Sequence, residues 1–391
     1  MKFIQKAMCM MLLAGAAMAP ACAGERLTAQ YQEPRGQQTP LVDQAKRYSA
    51  WSVARMLHDP QFVQALNQRL GGDASKGVML NTLLDEVRQP GPQAKASADK
   101  LRFIDQRVRE HKAIARDADS LLEVRLYVPQ GDKVDAPRDL SKLLVAYPPS
   151  GKRSEWSDVE AFDQQGQVQL LDARTPPATP VLIVGINARE DMRAGIAYLN
   201  RSLRSAGMQS AAPAAMAARA AGDVETTRLD RITLANSQEP WISGAAEVFA
   251  VVSGVQPDQA KAELSVVDMP YLDYANTAYT PNQIMIFWSN YRYGAANIQL
   301  FEHDDNTNYK DLAVALSQSV SAILGVFAPE YAVIGQVATA IMQAMPAAWF
   351  SNDDDYIDSF YTLERGRTYN DHRGAANNAT MSLSPYLLRA Q

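Results

Sequence analysis

Apolar positions along this chain recur first with a helical period and later with a period of two. Within AWSVARMLHDPQFVQALNQRLGG, Trp51, Val53, Ala54 and Leu57 share one helical face. The pattern restarts at Asp59-Pro60, an N-cap followed by the favoured first-turn proline, and stops at Gly71-Gly72. SADKLRFIDQRVREHKAIA repeats the helical spacing through Leu101, Ile104 and Val108. These segments predict a small helical region over about residues 43–118. The alternation then changes. LLEVRLYVP (121–129), KLLVAYPP (142–149), VEAFDQQGQVQLLDA (159–173) and PVLIVGIN (180–187) predict four or five strands, with a hairpin at Gln164-Gln165-Gly166.

A helix is expected over EDMRAGIAYLNRSL, closing a unit that spans residues 43–205. The Ala-rich run that follows has Pro213 inside it and few large apolar residues, so residues 206–226 read as a linker. From residue 227 to 391 the pattern is again that of strands: DRITLAN, EVFAVVSG, AELSVVD, NQIMIFW, NIQLFEH, IDSFYTLER and ATMSLS. Turn residues separate them at short intervals, as in an antiparallel sandwich. One insertion breaks the series. Between Leu312 and Phe350 the single charge is Glu330, beside Pro329, which predicts an apolar helical hairpin over 312–350. Ser317, Gln318, Ser321, Gln336, Thr339 and Gln343 give it a polar side, so it is expected to cover a sheet face rather than insert as an integral membrane element. The expected class is therefore α+β: an N-terminal helical region with a small β unit, then an antiparallel β-sandwich with an inserted hairpin.

The N-terminus sets the expected compartment. Lys2 and Lys6 precede an apolar run from Ala7 to Ala19, and Ala21-Cys22-Ala23 follows as an A-x-A site. This is a secretory signal over residues 1–23, with cleavage near Ala23-Gly24 and a polar leader over 24–42. The run is too short to span a bilayer. A periplasmic or secreted protein is expected. Both cysteines, Cys9 and Cys22, fall inside the removed segment, which leaves no thiol for disulfides, thiolate catalysis or metal ligation. Loss of Lys2 and Lys6 takes the formal charge from −5 to −7. An acidic chain without a clustered basic face is a poor partner for nucleic acid.

The acidic residues concentrate in three places: Asp268 and Asp273; Glu302, Asp304 and Asp305; and Asp353, Asp354, Asp355 and Asp358. Calcium takes six to eight oxygen ligands from adjoining loops, and the loops at one end of a sandwich bring distant segments together. These nine residues are the candidate calcium ligands, against the alternative of solvated turns that end strands. EPWISGAAEVFAVVSGV, VDMPYLDYANTAYTPNQIMIFW and EHDDNTNYKDL resemble an uncharacterised, domain-of-unknown-function family of exported proteobacterial proteins. More distantly they resemble C2-like calcium-binding β-sandwiches. The resemblance covers about residues 230–312 and implies export, a C2-like architecture and the same acids as ligands. His303 stands between Glu302 and Asp304, where such loops carry another oxygen ligand.

Catalytic signatures are sparse. His58, His111, His303 and His372 lack H-E-x-x-H company, no G-x-S-x-G elbow is present, and PPSGKRSEW lacks the upstream glycine of a phosphate loop. Tyr291 and Tyr293 in NYRYGAAN suit a strand end as well as a stacking platform. The reading that follows is a non-catalytic binding module, with calcium as candidate cofactor and an unidentified protein, glycan or lipid surface as partner. The alternatives are an exported hydrolase using a raised carboxyl as acid and a second as base, and a membrane-active protein deploying the hairpin.

Overall fold

The computed structural model describes residues 41–70, 77–87, 91–129, 132, 139–149, 156–208, 222–236, 241–244, 247–257, 262–303, 305–322, 330–344 and 356–390. The signal, the leader up to residue 40 and most of the Ala-rich linker lie outside these residues, and the last two leader positions, Leu41 and Val42, already belong to the first helix.

Four helices open the described chain: α1 (Leu41–Met56), α2 (Pro60–Leu70), α3 (Leu80–Glu86) and α4 (Pro92–His111). Asp59 caps α2, its Oδ1 accepting from Gln61 N at 2.9 Å and Phe62 N at 3.3 Å, and Pro60 takes the first-turn position where no N–H is needed. Val53, Ala54, Leu57, Leu101 and Val108 are buried, as the helical spacing predicts, and Trp51 and Ile104 are partly buried against the same core.

The small β unit is one mixed sheet built from β1 (Val78–Met79), β2 (Leu122–Tyr127), β3 (Val145–Ala146), β4 (Asp158–Phe162), β5 (Val168–Asp172) and β6 (Val181–Ile186). Its order is β1-β2-β6-β3-β4-β5, with β3 and β6 parallel. β4 and β5 form the expected hairpin, and Gly166 supplies its φ of 78°. Asp105 of α4, 1% exposed, fastens helix to sheet: its Oδ1 accepts from Leu121 N and Leu122 N at 2.7 and 2.8 Å. On α1, Arg47 Nε donates to Glu160 Oε2 of β4 at 2.5 Å. Helices and sheet are therefore one packed body.

α5 (Ala188–Ser205) leads towards the sandwich strands β7 (Val224–Leu234), β8 (Val248–Val255), β9 (Ala262–Asp268), β10 (Gln283–Phe287), β11 (Ala295–Glu302), β12 (Tyr356–Glu364), β13 (Tyr369–Arg373) and β14 (Ala379–Leu388). They form two antiparallel four-stranded sheets, β10-β7-β14-β13 and β12-β11-β8-β9. Leu229, Ile232, Met381 and Leu383 of one sheet meet Ala250, Val252, Ile298 and Leu300 of the other in a shared core. The second sheet is buried on its outer face too. Phe249, Val251, Leu264 and Phe301 pack there in the same cluster as the N-terminal helices, which is why β8 and β11 are buried at every position rather than at alternating ones.

The insertion between β11 and β12 gives two helices, α6 (Tyr309–Ala322) and α7 (Glu330–Ala344). α7 lies on β8, β11 and β12, with Val337 and Ile341 buried and Gln299 Nε2 donating to Ala338 O at 3.3 Å. The hairpin covers a sheet face, and no described helix is long and apolar enough to cross a membrane. The short strands β1 and β13 were not expected. Each is defined by pairing with a neighbour rather than by a run of apolar residues.

Candidate functional site

The segment after β11 is the acid-rich stretch singled out by the sequence, and it is wedged between the N-terminal helices and α5. Asn308 caps α6, its Oδ1 accepting from Lys310 N and Asp311 N at 3.0 and 3.1 Å, while its Nδ2 donates to His111 O at 2.7 Å. Tyr309 N donates to Lys112 O at 3.2 Å. The Tyr309 ring fills the space left by the missing side chain of Gly195 on α5, and its hydroxyl donates to the Asp191 carbonyl at 3.1 Å. Burial, with the nearby Asp191, holds that hydroxyl well above its ordinary pKa.

Two lysines supply the counter-charge. Lys46 of α1, 1% exposed, has its Nζ 2.7 Å from Asp305 Oδ2 and 3.3 Å from Asp43 Oδ1. Lys112, at the end of α4 and fully buried, has its Nζ 2.9 Å from Asp191 Oδ2 and donates to the Asp305 carbonyl at 2.6 Å. His303 Nε2 approaches the same Asp191 oxygen at 2.9 Å. Burial pushes the Asp305 carboxyl up, but the charge and hydrogen bond of Lys46, with His303 and Lys112 beyond, outweigh it and hold the group below the usual carboxylate range.

The network continues into the first sheet. Asn187 caps α5, accepting from Glu190 N at 2.8 Å, and its Nδ2 donates to Glu123 Oε2 of β2 at 2.6 Å. Burial raises the Glu123 carboxyl, against the lowering by Arg125 and by the Asn187 hydrogen bond. Removing one member of such a set would strand a buried charge, which costs several kcal/mol.

The expected calcium ligands divide among different surroundings. Asp305 is held by Lys46, and Glu302 is buried at the end of β11 opposite Val248. Asp268 ends β9 opposite Phe249, its carboxyl raised by burial, and Asp273 lies in the turn that follows. Asp358, fully buried, shares the inner face of the sandwich with Phe360. Its two oxygens accept from Ser359 N, Ala376 N, Asn378 N and Ala379 N at 2.7–2.8 Å, clamping the turn between β13 and β14. Asp304, Asp353, Asp354 and Asp355 lie outside the described residues. Among the described residues no group of three or more His, Cys, Asp or Glu side chains is arranged to hold a metal ion.

Sequence reasoning missed Lys46, Lys112 and Asp191. The available signal was weak: Asp43, Lys46, Ser49 and Ser52 form a polar stripe on α1, and all four are buried. Beside the junction runs an open groove of about 940 Å³ between the 113–117 turn, α5 and α6. Ala113, Tyr198, Ala313 and Val314 contribute apolar surface, and Arg116 and Lys310 stand exposed along it.

Fold and site together define an α+β protein in which a helix-covered sandwich is joined to a mixed-sheet unit by a buried charge network. The chain belongs to the DUF3103 family of proteins of unknown function, which it matches over residues 46–391. No curated protein and no solved structure matches it.

Proposed function

We propose that this protein works after export as a non-catalytic binding module, with the groove between the 113–117 turn, α5 and α6 as its binding face. The observation that carries this reading is the contrast between junction and groove. Lys46, Lys112, Asp191 and His303 have side chains at most 2% exposed, with Lys46 turned onto Asp43 and Asp305 and Lys112 and His303 turned onto Asp191, whereas Val314 in the groove is 46% exposed. Apolar surface flanked by Arg116 and Lys310, with Glu110 and Asp117 also on the lining, suits a partner that carries apolar groups beside charges of both signs. Export rests on Lys2, Lys6, the apolar run and Ala21-Cys22-Ala23. Calcium is not needed in this reading, because Asp305 is matched by Lys46 and Asp358 by four amides. The test compares the parent with Val314→Asp and Lys310→Glu for binding to envelope fractions and to peptide and glycan arrays. Equal binding by all three proteins removes the groove as the face.

A second reading, an exported hydrolase, draws on two carboxyls moved in opposite directions. Glu123 is raised by burial and Asp305 is lowered by Lys46, the separation that general acid and base catalysis uses. Neither residue lines the groove. A hydrolytic activity abolished by Glu123→Gln in a folded variant would favour this reading over binding.

A further inference from the structure

We propose that Lys112 and Asp191 are the two ends of an amide cross-link that the protein forms by itself. Both side chains are fully buried, with Nζ 2.9 Å from Oδ2, which sets the amine against the carboxyl group whose carbon it would attack. Neither Asp191 oxygen receives a well-directed hydrogen bond among the described residues, so the contact is close without being a well-formed hydrogen bond. The Asp305 carbonyl accepts one Nζ–H at 2.6 Å, which fixes the orientation of the amine. His303 Nε2 lies 2.9 Å from the oxygen that has to leave. Met192, Phe249 and Tyr309 wall the neighbouring space, a small cavity of about 10 Å³ that also touches His303 and Thr307.

The step balances within the cluster. Proton transfer inside the ion pair gives an amine and a carboxylic acid. The Nζ lone pair adds to Cγ, and the imidazole of His303 protonates the departing oxygen and takes the second Nζ proton. One C–N bond forms, one C–O bond breaks, and one water is released. A cavity of that size holds about one water centre, and exclusion of bulk water protects the product from hydrolysis. The bond would close the chain from the end of α4 to the first turn of α5, with β2 to β6 inside the loop. With Cys9 and Cys22 its only cysteines, both in the expected signal, an exported chain would have no disulfide to serve this purpose.

The inference stands apart from the groove, and the parent protein tests it without any variant. The intact mass of the folded, full-length protein should be lighter than its sequence by one water. A tryptic digest should yield a branched peptide joining Lys112 to Asp191, with no cleavage after Lys112. A folded parent at the full linear mass would overturn the proposal, as would a water loss mapped to another pair. His303→Gln should fold, by circular dichroism, and keep the linear mass. Cross-linking as complete in that variant as in the parent would overturn the part given to His303.

Discussion

Lys46→Met isolates what the buried charges contribute. Methionine keeps most of the stem volume but removes the charge that faces Asp305 at 2.7 Å and Asp43 at 3.3 Å. Breaking a buried pair by deleting one partner costs about 3–5 kcal/mol. Asp305 keeps 25% of its side chain in contact with solvent and Asp43 only 7%, so the lower end, about 3 kcal/mol, is expected. In a unit of this length each kcal/mol shifts the melting point by about 2 °C, which gives a drop of about 6 °C at neutral pH. The pH dependence has a definite sign. Asp305 titrates lower folded than unfolded, so its stabilisation is complete above the unfolded carboxylate value and is lost as pH falls through the folded one. The gap between parent and variant should therefore narrow once the pH drops below about 4. Far-UV circular dichroism melts at neutral and acid pH measure this directly. The double variant Lys46→Met, Asp305→Leu should recover part of the loss, because it removes the stranded charge along with its partner. A single variant that melts with the parent at neutral pH, or a double variant worse than the sum of the singles, would refute the reasoning.

Asp358→Asn should destabilise the sandwich by about 2–4 kcal/mol in urea titrations, since an amide has one acceptor oxygen for four N–H donors. Gly195→Ala should cost about 1–3 kcal/mol and displace the Tyr309 ring, visible as altered near-UV dichroism, because a Cβ there would overlap the ring. His372 packs against Phe360 and Tyr369, and burial, aided by Arg367, lowers its pKa. Its contribution is present above the unfolded histidine value and is lost as pH falls, so His372→Gln should flatten the stability profile between about pH 7 and 5. Calcium should move the melting points of the parent, Asp305→Asn and Asp358→Asn equally; a shift present in the parent and absent in either variant would restore those residues as ligands.

Local patterns decided the elements of this fold. The helical spacing of Trp51, Val53, Ala54 and Leu57, the hairpin at Gly166, and the sandwich strands from EVFAVVSG to ATMSLS each correspond to an observed element. Such signals are legible because burying one face imposes its period on a contiguous stretch of sequence. The low charge of 312–350 likewise identified a covering hairpin, since helices that pack on a sheet face have little room for charged side chains. The acid-rich stretch after β11 was legible only as a concentration of charge. Its partner on α1, Lys46, is 259 residues away from Asp305, and Lys112 follows a helix on which Asp105 is buried while Arg102, Arg107 and Glu110 form surface pairs. A lysine that will be buried carries the same letter as one that will be solvated, and only the packing of α1, α4 and α5 against the sandwich makes the difference. Asp358 shows the same division. Its sequence neighbours read as a strand, but the four amides that occupy its carboxylate come from its own strand and from a turn that only the folded sandwich brings alongside. Periodicity along the chain sets which residues go inside, whereas the partner each buried charge finds is settled by elements distant in sequence, through geometry that no local pattern encodes.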